Sequence, residues 1–208
     1  MDHNPGSLVR NRFYASADAF SALVAQIPPD SWEKTALGVW NLRDLVGHTS
    51  RALLTIESYL GKSSTGPALQ SAFDYFAAVK NTAGSAEEVA QRGREAGNKL
   101  LPDPASSINN IVPRVKDLVA GNTDDTPVGT PWGTMTLERY LPTRTFELTV
   151  HSLDISRALG VDTPSSLGPS ISESLELIGK LASLHPEADE LLLVLTGRPS
   201  HLKTISVI

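Results

Sequence analysis

The chain has 208 residues, 40% of them hydrophobic and 20% charged, with a formal net charge of −5. That suits one packed domain with a short extension. The acidic balance and the lack of any Lys/Arg run argue against nucleic acid or an anionic membrane as partner. Cysteine is absent, so disulfides, thiolate metal ligands and a cysteine nucleophile are excluded; thiol chemistry here needs a thiol from outside.

In chain order, the stripe Val9, Phe13, Ala17, Phe20, Val24, Ile27 advances by threes and fours and predicts a helix from Ser7 to Ile27, ended by "PPDSW". A second helix opens at "WNLRDLVGH", with Asn41 as cap and Asp44 completing a capping-box pattern, and runs to about Leu60. "ALQSAFDYFAAVKN" and "SAEEVAQRGREAGNKLL" predict two weaker helices, the second burdened by Gly93 and Gly97. "ASSINNIVPRVKDLVAG" predicts a fifth, with Pro113 at a kink. "NTDDTPVGTPWGTMT" reads as a long Pro/Gly/Thr-rich loop of the kind that is functional or disordered.

A long helix is expected from Thr136 to Ala158, with Pro142 in its first turns. "SISESLELIGKLASL" and "PEADELLLVLTG" predict two more, Gly197 lying past the end of the last, and "KTISVI" is a β-prone tail. "VDTPSSLGP" is the best candidate boundary, dividing a bundle over 1–163 from a helical extension over 164–208 that packs on it. No apolar run is long enough to span a bilayer and "MDHNPGSLVRNRF" lacks a signal h-region, so a cytoplasmic location is expected.

Within the long helix, "FELTVHSLDI" sets Glu147, His151 and Asp154 within roughly 60° of one another. Thr145, Thr149, Ser152 and Ser156 gather on the opposite side and are expected to face solvent. Three readings are open for the ionisable column: a buried hydrogen-bonded Glu–His pair, a general acid–base pair, or part of a metal site. His48 borders the apolar arc of the second helix, beside Leu45, Ala52, Ile56 and Tyr59, and offers a third ligand. His3, His185 and His201 fall in a terminus, a turn and a polar tail, where solvation is expected. Two His and one Glu match the three-ligand sets of catalytic zinc, which leave one position open.

On "WNLRDLVGHTSRAL", "TPWGTMTLERYL", "RTFELTVHSLDISRALG" and "LLLVLTGRP", the chain resembles the metal-binding domain of mycothiol-dependent maleylpyruvate isomerases, within the DinB-like superfamily. The resemblance implies an all-α four-helix bundle holding a divalent metal, zinc first, on His48, Glu147 and His151. It also implies mycothiol or another small thiol as cosubstrate at the open position. Asp154 would orient His151 or cap local backbone; Trp132, beside Gly133, would line the pocket or simply pack. Arg198 is the nearest candidate for a substrate-binding arginine, or a helix-end cap. The expected activity is a thiol-dependent transferase or isomerase on a small electrophile, by a monomer or homodimer. A metal-dependent hydrolase and a non-catalytic metal-binding or thiol-sensing module are the alternatives.

Overall fold

Apolar stripes at helical spacing must find partners, and here four helices supply them to one another. The computed structural model describes residues 5–80, 84–202 and 206–207. Helices α1 (Pro5–Val24), α2 (Leu42–Tyr59), α5 (Pro104–Ala120) and α6 (Leu137–Leu159) form the ring. In it α1 touches α5 and α6, and α2 touches the same two. Phe13, Phe20, Leu45, Leu53, Ile56, Ile108, Val115, Tyr140, Leu141 and Leu148 fill the centre and are fully buried. Each such side chain contributes about 1.5–3 kcal/mol by leaving water. The fold is the mostly helical, DinB-like all-α type.

The shorter elements complete the walls. A two-stranded turn, β1 (Thr35–Leu37) and β2 (Trp40–Asn41), leads into α2, whose first turn is capped by Asn41 accepting from the Asp44 amide at 2.8 Å. The Asn41 side-chain Nδ2 donates to Glu33 at 2.8 Å, and α2 shows the one-way cap from Asn41 rather than a reciprocal box with Asp44. Helix α3 (Ala72–Lys80) lies against α6, and α4 (Ala86–Asn98), opened by a Ser85–Glu88 capping box, lies along α2. Gly93 and Gly97, unfavourable for an isolated helix, are what allow α4 so close: a Cβ on Gly47 would run into the Gly97 backbone, and one on Gly93 would meet the Trp40 ring at 2.6 Å. Pro113 and Pro142 both lie inside continuous helices.

Two expectations are corrected. The segment read as a long loop is a hairpin, β3 (Pro127–Thr130) and β4 (Gly133–Thr136), in which Val128 and Met135 pair and are both buried. Its Pro131–Trp132 turn ends at Gly133, whose φ of +152° and contact with the Pro67 carbonyl leave no room for a side chain. The Thr145, Thr149, Ser152 and Ser156 face of α6 is buried rather than solvated, because α1 and α7 (Gly168–Ala182) cover it. Small hydroxyl side chains permit that approach; Thr149 donates back to the Thr145 carbonyl at 2.7 Å, and Ser16 of α1 donates to Ser170 of α7 at 3.0 Å. Of the β-prone tail, Ser206 and Val207 are described, and residues 203–205 and 208 lie outside the described residues.

The chain runs from α6 to α7 through Gly160, in left-handed conformation, and a 3-10 turn at Ser165–Leu167 whose Leu167 is fully buried. Helix α8 (Ala188–Leu195) follows and buries none of its residues. No helix among the described residues is long and apolar enough to cross a membrane.

Candidate functional site

Where α2 meets α6, three ionisable side chains converge. Glu147 and His151, one turn apart on α6, and His48 on α2 bring one ligand atom each within 4.8 Å of one another. The Glu147 Oε2 to His151 Nε2 distance is 3.4 Å, and the rings of His48 and His151 meet edge to face at 4.9 Å between centroids. Asp154, the third member of the sequence column, holds the other nitrogen of His151, with Nδ1 3.1 Å from Oδ2. With the Nδ1 proton donated to Asp154, loss of the Nε2 proton that faces Glu147 gives the tautomer a metal requires. His48 is braced from behind by Trp40, 4.5 Å away between ring centroids, whose indole N–H donates to the Ala90 carbonyl of α4.

The electrostatics are those of groups arranged for each other. Burial is the largest influence on His48 and, with His151 beside it, lowers its pKa to about 4. Burial opposes ionisation of Glu147, but the His151 hydrogen bond and the Arg144 charge outweigh it, and the pKa falls to about 2. Burial likewise opposes the charge on His151, yet Asp154 and Glu147 flank it and raise its pKa to about 9. The buried Nδ1 of His48 has no hydrogen-bond partner among the described residues. Two imidazoles and a carboxylate that converge in this way are a nitrogen- and oxygen-donor set that fits a borderline divalent ion such as zinc.

Beside the cluster lies a cavity of about 430 Å³. His48, Arg51, Thr55 and Tyr59 of α2 form one wall, Arg144 and Glu147 of α6 another, and Tyr75, Phe76 and Val79 of α3 the third. Val89 and Arg92 of α4 and Pro131 and Trp132 of the hairpin turn complete its lining, with Trp132 edge-on to Tyr75 at 5.2 Å. Gly133 lies in the hairpin behind it.

Sequence reasoning passed over Arg144, one turn before Glu147. Only 6% exposed, its guanidinium meets neutral groups: it donates to the Tyr75 hydroxyl at 3.1 Å and to Thr143 Oγ1 at 2.9 Å, and lies over the Tyr75 and Tyr140 rings. It keeps its proton despite burial, with Tyr140, Tyr75 and Glu147 around it, while burial raises the Tyr75 pKa and keeps its phenol protonated. The signal was available, since a step of three residues puts Arg144 about 60° from Glu147 on the helix.

The other histidines stand apart from this cluster. His185 sits in a turn, its Nδ1 accepting from the Glu187 amide, and the largely exposed His201 lies 3.4 Å from Glu190; His3 is outside the described residues. Arg198 donates to the Thr196 carbonyl at the end of α8, as a helix-end cap does, and does not line the cavity.

The family model described as mycothiol maleylpyruvate isomerase N-terminal domain matches residues 13–156, which run from α1 through nearly all of α6 and include the whole cluster. No curated protein and no solved structure shows significant similarity to the chain.

Proposed function

Since the chain belongs to the family of mycothiol maleylpyruvate isomerase N-terminal domains, we propose that it is a metal-dependent cytoplasmic enzyme, with zinc as the metal. It uses an external low-molecular-weight thiol such as mycothiol in a reaction of transferase or isomerase type. The observation that carries the reading is the convergence of His48, Glu147 and His151 beside a cavity that His48 and Glu147 help to line. In this reading those three would hold the metal, which would supply an open position able to bind a thiol and lower its pKa.

The chain's own residues do the rest. Asp154 holds the His151 tautomer, and Trp40 holds the His48 ring. Arg144, Arg51 and Arg92 give the cavity a positive potential, which favours a thiolate and an oxygen-rich electrophile over neutral competitors. Tyr75 accepts from Arg144, so its own proton is free to be donated to an oxygen of the electrophile as charge develops there. Phe76 and Trp132 give that meeting point apolar walls.

Elemental analysis of the purified protein should find one metal per chain. With cobalt in place of zinc, mycothiol should add a saturable sulfur-to-metal charge-transfer band, which can only come from the added thiol because the chain has no Cys. An unchanged spectrum at saturating mycothiol, together with hydrolysis of an ester or amide, would replace the thiol reading with a hydrolytic one. Bound metal with neither response would leave a binding or sensing module.

A further inference from the structure

The cavity beside His48 has a neighbour across Arg51, Thr55 and Tyr59 of α2. A second one, of about 680 Å³, opens between α2, α4 and α5 and shares Arg51, Thr55 and Tyr59 with the first. The two lobes differ in chemistry. The first is walled by Tyr75, Phe76, Val79 and Trp132 around one buried guanidinium, a place for a small, partly apolar group. The second has an apolar floor of Leu100 and Ile111 under a rim of Ser58, Lys99, Asn110 and Arg114.

Charge is unbalanced there. Arg114 is held by Glu57 at 2.6 Å, but Arg51 and Lys99 form no ion pair among the described residues, in a chain whose net charge is −5. A donor-rich, cationic lobe in an acidic protein suits a ligand rich in acceptors and repels a cationic one. A thiol held at His48, Glu147 and His151 must run its remaining atoms somewhere, and this lobe adjoins the first along Arg51, Thr55 and Tyr59.

We propose that the second lobe is the binding site for the polar tail of the thiol cosubstrate, leaving the aromatic lobe to the electrophile. This rests on the thiol reading above. The tail's recognised feature is a set of hydrogen-bond acceptors, hydroxyls or carboxylates, spaced along a chain of a few hundred daltons.

The test compares three thiols on the cobalt-substituted protein: mycothiol with a hydroxyl-rich tail, glutathione with two carboxylates, and 2-mercaptoethanol with none. Their S-methylated forms are followed by calorimetry, which reads tail binding without the metal–sulfur bond. A tailed thiol should bind at least tenfold more tightly than 2-mercaptoethanol. Asn110→Trp, which fills the lobe from an exposed position, should weaken the tailed thiols about tenfold more than the short one, the loss of one or two hydrogen bonds and their packing. Lys99→Glu, also exposed, separates the sources: it should weaken glutathione far more than mycothiol if carboxylates are read, and both alike if hydroxyls are. Circular dichroism and metal content confirm that each variant is folded and loaded. Equal affinity for long and short thiols, or variants that weaken all three equally, would overturn the lobe assignment while the thiol reading stands. A loaded protein that gives no band with any thiol would remove the thiol reading itself.

Discussion

Helix α6 carries two polar faces, and they behave in opposite ways. One, of Thr145, Thr149, Ser152 and Ser156, is buried against α1 and α7. The other, of Arg144, Glu147, His151 and Asp154, borders the cavity and the cluster. The first uses hydroxyls as near-apolar spacers: they are small, and Thr149 turns its proton back to its own helix. The second uses groups that the backbone cannot satisfy and that must be answered by one another or by a ligand. Polarity alone therefore does not say which face of a buried helix is functional; the kind of polar group does, small hydroxyls on one face and ionisable groups on the other.

The sharpest break of this comparison is His48→Ala. Removing one of three donors should cost the protein most of its bound metal, a loss beyond the roughly 10–100-fold typical of outer partners. The helical fold should survive, because His48 borders the cavity rather than the centre of the core. Circular dichroism with elemental analysis checks both. Tight binding of one metal per chain in the variant would remove His48 from the ligand set.

The next largest effect is that of pH. An ordinary imidazole would lose metal near pH 6. Here the proton on His151, held between Asp154 and Glu147, stabilises the metal-free protein fully below the unfolded value near 6.5, and is lost only as pH rises through about 9. Metal needs that nitrogen free, so its affinity should fall about tenfold per unit as pH drops below 9, about a hundredfold from pH 9 to 7. The slope steepens near pH 4, where His48 is protonated as well, while Glu147 stays ionised down to about 2. Chelator competition at several pH values measures it. A flat profile between pH 9 and 7 would mean that His151 is not displaced from its proton.

Asp154→Asn should act through His151 rather than directly. The amide keeps the shape, yet as a weaker acceptor it releases the imidazole orientation, and metal affinity should fall about tenfold. The same change removes a carboxylate that raises the His151 pKa, so the pH profile should shift downward with it. A structural cap role for Asp154 would cost stability without moving that profile.

Much of this was legible in the sequence and some was not, for reasons that can be named. The 3.6-residue period gave the helices, and spacings of four and three put Glu147, His151 and Asp154 in one column. Asn41 was a readable cap. The Thr/Ser face misled because a helical wheel scores hydroxyls as solvent-seeking, whereas Thr149 satisfies itself locally. The hairpin was hidden by its Pro, Gly and Thr content, although Val128 and Met135 alternate as a half-buried strand pair should. Arg144 and Arg51 were passed over since a lone arginine on a helix ordinarily points to water, and only the packing of α3 and α4 encloses them. Trp40 behind His48 is likewise a tertiary fact, made possible by Gly93 of α4.

The smallest effect tests the other face of α6. Ser152 is fully buried, and its hydroxyl has no hydrogen-bond partner among the described residues. A buried donor left unsatisfied carries a desolvation cost that the alanine methyl group does not. Ser152→Ala should therefore leave stability unchanged or raise it by up to about 1 kcal/mol, about 2–4 °C in Tm for a chain of this size. Metal affinity should be untouched, since the side chain points away from the cluster, toward the face covered by α1. A loss of more than about 1 kcal/mol would mean that the hydroxyl is satisfied after all, by a buried water for instance. In that case the two faces of α6 would differ in degree only, and the hydroxyl face would be a polar network in its own right.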